Sequence, residues 1–379
     1  MASSQQSSDT VELWATTSEG EVRLTLRIAG GGKHRFNPRQ RADIDAANDS
    51  MFDALDGFSL DVWEWDTTLD PARKNEHLEA MSCAGRALAD ALFGPELTTF
   101  VGLVTKYGAR RLDLVVFDET FSPYWDFLRV VRGGVEMYLG DFVTVTPGYT
   151  LRTDHPPPED MGDEFEITIL DDLGPVGLVE DETLPSAHLN PITTEGTLKE
   201  INTLIPVVKD LSEVDILRPM ISSARPKEVA AMNKWLGPQR RLVHFNCHGS
   251  SATRGRNADP VLNVTRSFSV DKTDLHTCDL SYGLVNLNVC NSAVGTYSSR
   301  KTFCQTFHDQ NAAATICTTG SVDDGFATAF ARELYGRLVN QDLLTSMHET
   351  RRALSTQHKH PMSLMYTFTG VGSFRLDTV

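Results

Sequence analysis

The sequence predicts an α/β protein in which a mostly parallel sheet is flanked by helices. Two observations carry this prediction: short apolar runs recur in the second half of the chain, and segments with helical spacing lie between them. Strands that are buried on both faces read as continuous apolar runs, and parallel strands are joined by helical crossovers. The apolar runs are residues 214–217, 241–246, 284–289 and 313–317.

Regular patterns also occur in the rest of the chain. The predicted elements are two strands over 11–28 joined at Glu19-Gly20, a helix over 76–92 ending at Gly94-Pro95, strands at 111–119, 135–146 and 165–170, and helices at 197–204, 223–237 and from Ser321 onward. Residues 30–50 are rich in glycine, arginine and asparagine, and we predict a loop there. The first ten residues are polar and are predicted to be disordered.

A change of composition near residue 160 predicts a division of the chain. Pro156, Pro157 and Pro158 precede residues 159–182, which hold ten acidic residues and no basic one. Proline runs and blocks of like charge are typical of connectors. We therefore expect one lobe over residues 1–160 and a second over 161–379, with a plain solvated linker as the other interpretation of the acidic stretch.

Composition excludes several classes of function. The 379 residues carry 35 Lys and Arg against 51 Asp and Glu, a formal net charge of −16. Because nucleic-acid affinity is mostly counterion release by basic side chains, we expect no direct binding of nucleic acid. The apolar runs are shorter than the ~20 residues that span a bilayer, and the N-terminus lacks the pattern of a secretion signal. We expect a cytoplasmic protein with no membrane partner.

The cysteines and glycines point to a protein without disulfides or cofactors. The six cysteines include no C-x-x-C pair. A chain of this size needs no disulfide for stability, so we expect all six to be thiols. No phosphate-binding or dinucleotide-binding glycine motif occurs in the sequence, and we expect no cofactor.

Two strand ends carry the residue types of nucleophilic catalysis. RLVHFNCHG ends in His248-Gly249, and LVNLNVCNSAVG turns at Cys290. Ligands bind outside the carboxyl ends of parallel strands, so this imidazole and this thiol can face one cleft. An imidazole can take the proton of a thiol, whose ordinary pKa is ~8.5, and later donate it to a leaving amine. The backbone N–H groups of Gly249 and Cys290 are suited to bind an oxyanion.

The residues alone leave other interpretations open. A cysteine at a strand end is commonly a small buried apolar residue, and a lone histidine in a strand is commonly a hydrogen-bonded core residue. A zinc site from His244, Cys247 and His248 is disfavoured, because strand alternation puts Cys247 on the opposite face. We expect no metal site and interpret His244 as a strand residue that orients the site.

The same two segments resemble the signature segments of the CHAT family, caspase-like peptidases related to caspases and separases. In that family the first strand ends in a catalytic His-Gly and the second in the nucleophilic Cys, followed by Asn-Ser/Thr-Ala. RLDLVVFDETFSPYWDFL is similar to an upstream family strand and its Pro-Trp-Glu-Leu-like segment, with Asp126 where Glu is usual. NAAATICTTGSVDDGFATAFARELYGRLV resembles a small-residue strand, a Val-x-Asp turn and a long helix. The resemblance runs from about residue 88 to the C-terminus.

The resemblance implies a cysteine endopeptidase that cleaves protein substrates, with His248 as the base and Cys290 as the nucleophile. It implies a caspase-like fold, in which residues 1–160 form a pseudo-caspase-like lobe before the catalytic lobe, 161–379. Related proteins often act in prokaryotic defence or cell-death pathways, switched on by a protein partner or a protease. The alternative is a catalytically latent scaffold or binding module that keeps the fold.

Specificity is expected to depend on acidic residues after the small-residue strand. In separase-like relatives an acidic residue near the base of the S1 pocket selects a basic P1 side chain, and Val322-Asp323-Asp324 resembles the segment that supplies it. We expect Asp324, with Asp323 beside it, to bind P1. The alternative role is capping of the following helix by Ser321 and Asp324.

Latency is expected to depend on two connections. Residues 249–280 are polar and long enough that we predict an activation-sensitive loop, with a surface hairpin as the alternative. The segment 296–301 contains Arg300-Lys301, a candidate self-cleavage site.

Overall fold

The fold was described from a computed structural model of the chain. The structure describes residues 10–28, 32–61, 70–108, 110–116, 121, 123–148, 166–171, 213–217, 229–230, 232–233, 236, 240–246, 248–251, 260–265, 268–275, 280, 283–290, 292, 302–358 and 361–375. The N-terminal residues 1–9, the helix predicted at 197–204, most of that predicted at 223–237 and the segment 296–301 lie outside the described residues.

Strands and helices are numbered in chain order over the described residues. The strands are β1 (Thr10–Ser18), β2 (Glu21–Ile28), β3 (Gly32–Arg35), β4 (Arg39–Gln40), β5 (Arg111–Val116), β6 (Arg129–Arg132), β7 (Val135–Tyr138), β8 (Thr144–Gly148), β9 (Glu166–Asp171), β10 (Glu213–Leu217), β11 (Arg240–Asn246), β12 (His248–Ser251), β13 (Pro260–Thr265), β14 (Phe268–Val270), β15 (Leu284–Asn288), β16 (Ala314–Thr318) and β17 (Tyr366–Gly370). The helices are α1 (Arg41–Asp61), α2 (Pro71–Phe93), α3 (Leu97–Lys106), α4 (Phe303–Asp309), α5 (Asp324–Leu338) and α6 (Leu343–His358).

The chain forms two compact units that alternate along the sequence. Described residues up to 148, together with 319–323 and 341–373, belong to the first unit. Described residues from 166 to 318, together with 324–340, belong to the second. The assignment of residues 1–160 as a pseudo-caspase-like lobe and 161–379 as a catalytic lobe stays a prediction.

The first unit contains a sheet with the strand order β3-β2-β1-β5-β8 and β4 beside β2. The hairpin predicted over 11–28 is confirmed, since β1 and β2 pair antiparallel along their length. Glu19 and Gly20 make its turn with φ angles of 52° and 81°, the left-handed geometry that suits a two-residue hairpin. The pairs β1–β5 and β5–β8 are parallel.

Helix α1 corrects the prediction that residues 30–50 form a loop. Strands β3 and β4 precede it, and the helix begins at Arg41. Its buried residues recur at intervals of four and three: Ile44, Asn48, Met51, Leu55 and Phe58. This spacing makes a stripe along one face of a helix, which packs against α2. Polar and basic neighbours in the sequence hid the stripe.

The helix predicted over 76–92 is confirmed as α2, which begins at Pro71 and ends before Gly94. Together with α3, the stretch Pro71–Lys106 is long and apolar enough by composition to cross a membrane, a property that core helices share. Leu88, Leu92 and Phe100 are fully buried. Packing within the first unit therefore accounts for the apolar composition.

A buried ion pair joins two distant segments of the first unit. Asp126 lies in a short helical turn, Trp125–Phe127, and Arg351 lies on α6. Nη1 of Arg351 donates to Oδ1 of Asp126 at 3.0 Å, and Nη2 donates to the carbonyl oxygen of Tyr366. The Pro-Trp-Glu-Leu-like segment therefore holds α6 and β17 against the body of the first unit.

The second unit contains a parallel sheet. Its neighbouring strands follow the order β10-β9-β11-β15-β16, and each of these pairs is parallel. Four of the five strands coincide with the apolar runs that predicted them, and β9 coincides with the strand predicted at 165–170. The α/β class with a mostly parallel sheet is therefore confirmed.

Helices cover both faces of β11 and β15. Phe245 of β11 contacts Phe307 of α4 with ring centroids 5.5 Å apart, so odd-numbered residues face α4. His244 contacts Tyr335 of α5, so even-numbered residues face α5. The apolar stripe predicted for α5 is confirmed, because it is fully buried: Phe326, Phe330, Leu334 and Leu338.

The connection after β11 is more regular than predicted. Residues 249–280 include β12, β13 and β14, which form a three-stranded antiparallel sheet. Leu262, Val270 and Leu275 are buried in the core of the second unit. The antiparallel pairing of these strands agrees with the hairpin alternative and not with an irregular loop, and widely spaced apolar residues among polar ones anchor the strands. That this connection is sensitive to activation stays a prediction. Residues 252–259 lie outside the described part.

Two of the cysteines form a disulfide. Cys304 of α4 and Cys317 of β16 are bonded, with their Cα atoms 6.6 Å apart. The expectation of six thiols is therefore wrong for this pair. Both residues are buried where α4 packs on β16, so the packing brings them together. Cys83 and Cys290 are thiols.

Candidate active site at the carboxyl ends of the central strands

The predicted catalytic residues follow two adjacent parallel strands. Asn246 of β11 lies opposite Asn288 of β15 in the register of the pair. His248 and Cys290 each come two residues after these partners. Since neighbouring strands lie ~4.8 Å apart, the register brings both backbones to one edge of the sheet. Ligands of parallel α/β proteins bind at this edge.

Strand β12 fixes the backbone of the first motif. His248 and Gly249 pair with Asn263 and Leu262 of β13. The imidazole of His248 lies outside the described atoms, so its contact with Cys290 stays a prediction. The oxyanion role of Gly249 also stays a prediction.

Cys290 lies in a tight turn with a half-buried side chain. The turn is held by its neighbours: the N–H of Ser292 donates to the carbonyl oxygen of Val289 at 3.4 Å. Oγ of Ser292 accepts from the N–H of Thr318 at 2.9 Å, and Oγ1 of Thr318 donates to the Val289 oxygen at 2.5 Å. Buried hydrogen bonds therefore tie both sides of the thiol to the end of β16.

Thr318 is a residue that the sequence did not single out. It is the last residue of β16, and its backbone N–H and hydroxyl both contact the turn that carries Cys290. Only the pairing of β15 with β16 explains this role. In the sequence, the only indication of this role was a threonine hydroxyl at the end of a run of small residues.

His244 belongs to a buried polar trio. Its Nδ1 lies 2.6 Å from the hydroxyl of Tyr335, which accepts from Nδ2 of Asn286 at 2.7 Å. The trio links β11, β15 and α5 beneath the strand ends, and Nδ1 of His244 has a hydrogen-bond partner within the core.

The two predicted S1 residues lie at the start of α5. The helix begins at Asp324, so the half-buried Asp323 occupies the N-cap position. Ser321 lies three residues before the first helical residue. Capping by Ser321 and Asp324 stays the alternative interpretation. The side chain of Asp324 lies outside the described atoms, and its role in S1 stays a prediction.

Asp126 has a structural role. Burial raises its pKa to about 6, while the charge and hydrogen bond of Arg351 act in the opposite direction. The carboxyl accepts a hydrogen bond from Arg351 of α6. This aspartate therefore contributes to the packing of the first unit.

Comparison with known proteins supports the fold assignment. Residues 184–367 match the CHAT domain family, a range that includes His248, Cys290, Asp323 and Asp324. No curated protein matches the sequence.

Solved structures of similar fold include separase. The chain aligns with two crystal structures of the Saccharomyces cerevisiae separase–securin complex, at 2.6 and 3.0 Å resolution, with TM-scores of 0.54 and 0.53. Sequence identities are 10% and 9%; each alignment covers 96% of this chain and 30% of the separase chain. The chain thus spans about a third of the length of separase, and this likeness concerns the fold. Residues 184–367 therefore match a CHAT domain, and the chain as a whole has a mixed α/β fold similar to that of separase.

Proposed function

We propose that the protein is a cysteine endopeptidase in which Cys290 is the nucleophile and His248 is the base. The observation that carries this proposal is the register of β11 and β15. Asn246 opposes Asn288, and the two motif residues follow at equal distances along the chain. A half-buried thiol in an anchored turn at a strand edge fits a nucleophile better than a core cysteine, which would be fully buried.

The reaction would follow the two steps of acyl transfer. His248 takes the thiol proton, and the Cys290 sulfur attacks the scissile carbonyl while the N–H groups of Gly249 and Cys290 stabilise the oxyanion. The C–N bond breaks as the imidazolium gives its proton to the leaving amine. A water then loses a proton to His248 and attacks the thioester, which releases the carboxylic acid and regenerates the thiol.

Thr318 and Ser292 support this mechanism by fixing the turn. Displacement of a nucleophile by ~1 Å can reduce the rate by roughly 100-fold. The two hydrogen bonds of Thr318 restrain the backbone on the N-terminal side of Cys290 and the Ser292 side chain on the other. We assign Thr318 as a positioning residue.

The proposed substrate is a protein cleaved after a basic residue. Asp324, with Asp323 beside it, would pair with P1, and arginine should be preferred over lysine because its planar fork can bind a carboxylate bidentately. We further propose a cytoplasmic role in prokaryotic defence or cell death, switched on by a protein partner or by a protease. The net charge of −16 supports protein rather than nucleic-acid partners.

Selective labelling tests the proposal. A peptidyl acyloxymethyl ketone with arginine at P1 should modify Cys290, and His248→Ala should slow this modification strongly. Cys83 is the internal control, because it is an exposed thiol on α2. Equal labelling of both thiols, unchanged by His248→Ala, would contradict the proposal and favour a latent scaffold.

A further inference from the structure

A basic cleft lies within the first unit. It has a volume of about 640 Å³ and is lined by residues of α3, β7 and α6, with Arg110, Arg132 and Arg352 on its walls. Asp141 is the carboxylate that lines it. The cleft thus has three guanidinium groups and one carboxylate, whereas the whole chain has fewer basic residues (35) than acidic residues (51). The positive charge is therefore concentrated locally.

The three arginines of the basic cleft lack an ionic partner among the residues that the structure describes. No guanidinium among them forms an ion pair or a hydrogen bond with another described residue. Other arginines of the first unit do: Arg129 binds Glu136 at 3.0 Å, and Arg111 binds Asp113 at 2.5 Å. Ion pairs among the described residues therefore do not account for the three charges.

The electrostatic effect is visible at His348, which also lines the cleft. Burial, followed by the charges of Arg351, Arg352 and Arg110, lowers the pKa of His348. The arginine charges therefore act together on this side chain, against the opposing charge of Glu349. An anion entering the cleft would meet the same arginine charges.

The walls of the cleft also fix what kind of anion fits. Arg132 lies over the ring of Phe142, with its guanidinium carbon 4.7 Å from the ring centroid, and so has a defined direction. Hydroxyls of Thr105 and Ser355 add neutral donors, and Met137 adds an apolar wall. Guanidinium groups bind phosphate bidentately, and clefts of roughly 300–1,000 Å³ hold small molecules.

We propose that the basic cleft binds a small molecule that carries two or more phosphate groups. Arg110, Arg132 and Arg352 bind the phosphates, and Phe142 and Met137 contact the less polar part. A long polyanion is disfavoured, since the chain as a whole carries a net charge of −16. The site is independent of the proposed peptidase activity.

Titration calorimetry with the full chain tests this site. Inorganic tripolyphosphate should bind with one site per chain and raise the unfolding temperature, and inorganic sulfate should bind at least about tenfold more weakly. The double variant Arg110→Gln/Arg352→Gln should lower the affinity at least about tenfold. Arg35→Gln is the matched control, since Arg35 is an exposed arginine of β3 that does not line the cleft.

A substitution that raises the affinity for tripolyphosphate separates an effect on binding from a loss of folding. Oδ2 of Asp141 accepts from the N–H of Tyr138 at 3.0 Å, and an asparagine oxygen keeps this bond. Asp141→Asn should therefore raise the affinity for tripolyphosphate. Absence of binding, equal binding by the double variant, or sulfate binding as tight as tripolyphosphate would overturn the proposal. Labelling of Cys290 is measured separately, so failure here leaves the peptidase proposal untouched.

Discussion

Arg351 of α6 pairs with Asp126 across 225 residues of sequence, and their side chains are only 1% and 9% exposed. A buried pair need not stabilise a protein relative to apolar residues, but removing one partner leaves the other charge in the core. The two residues therefore depend on each other more than on any local contact.

Asp126→Ala should lower the free energy of unfolding by about 3–5 kcal/mol, because it leaves the Arg351 charge buried without a counterion. Chemical denaturation at neutral pH measures the change. The matched control is Asp45→Ala, which breaks the more exposed pair with Arg41 at 2.8 Å on α1. That control should cost less than about 1 kcal/mol. Equal costs would show that the pair is not buried as described.

The carboxyl of Asp126 should make the unfolding free energy depend on pH. Burial raises the pKa of Asp126 to about 6, above the ~3.9 of an unfolded aspartate. The folded state therefore holds the proton more tightly, so the contribution of this group is full below about pH 4 and is lost as the pH rises to about 6. Relative to Asp126→Asn, which does not titrate, the wild-type unfolding free energy should fall by roughly 3 kcal/mol between pH 4 and 7. A constant difference over this range would contradict the assignment.

Tyr335→Phe should destabilise the second unit by about 1–3 kcal/mol, since it removes the shared partner of His244 and Asn286 from a buried site. Thermal and chemical unfolding measure the loss. Tyr107→Phe removes a hydroxyl from a tyrosine that is 39% exposed and should change stability by less than about 0.5 kcal/mol. If both variants lose the same stability, the hydrogen bonds of the trio contribute little to the stability of the second unit.

Two helix glycines should respond oppositely to alanine. A Cβ at Gly85 of α2 would overlap the carbonyl oxygen of Phe127, whereas a Cβ at Gly102 of α3 meets no atom within 4 Å. Gly85→Ala should cost about 1–3 kcal/mol through the backbone shift it forces. Gly102→Ala should stabilise by up to about 1 kcal/mol through helix propensity. The melting temperatures of the two variants test this prediction. A stabilising effect of Gly85→Ala would contradict the close approach of Gly85 to the Phe127 carbonyl oxygen.

Cys290→Ala should abolish cleavage of any peptide that the parent cleaves, with little change in unfolding temperature. Thr318→Val keeps the shape of the side chain but loses the hydrogen bond to the Val289 oxygen. It should lower kcat by roughly tenfold or more with KM nearly unchanged, as expected for a positioning residue. Turnover by Cys290→Ala would exclude the nucleophile, and a Thr318→Val effect confined to KM would exclude positioning.

The strands of the parallel sheet in the second unit were predictable because each contains a short, mainly apolar run. β11 and β15 end where the sequence places His-Gly and Cys, so the two motifs and the sheet edge could be inferred together. Helix α1 was missed because its stripe includes Asn48 and is surrounded by polar residues. The strands β12 to β14 were missed because their burial depends on the core of the second unit and not on a local pattern.

Long-range partners could not be inferred from the sequence. Arg351 lies in a polar stretch of α6, and nothing local marks it as fully buried. The partnership of Thr318 with the turn at Cys290 depends on the neighbouring positions of β15 and β16. The three arginines of the basic cleft come from separate segments, so their shared location requires the tertiary fold.

The alternation of the two units along the chain constrains synthesis. The first unit is completed by residues 341–373, which the ribosome makes after nearly all of the second unit. Until Arg351 emerges, the aspartate at 126 has no counterion in the interior that is to enclose it. The N-terminal part of a nascent chain therefore cannot complete its packing until more than half of the protein has been translated after it. A gene fragment cut near residue 160 would encode a polypeptide that lacks its own final helix and strand.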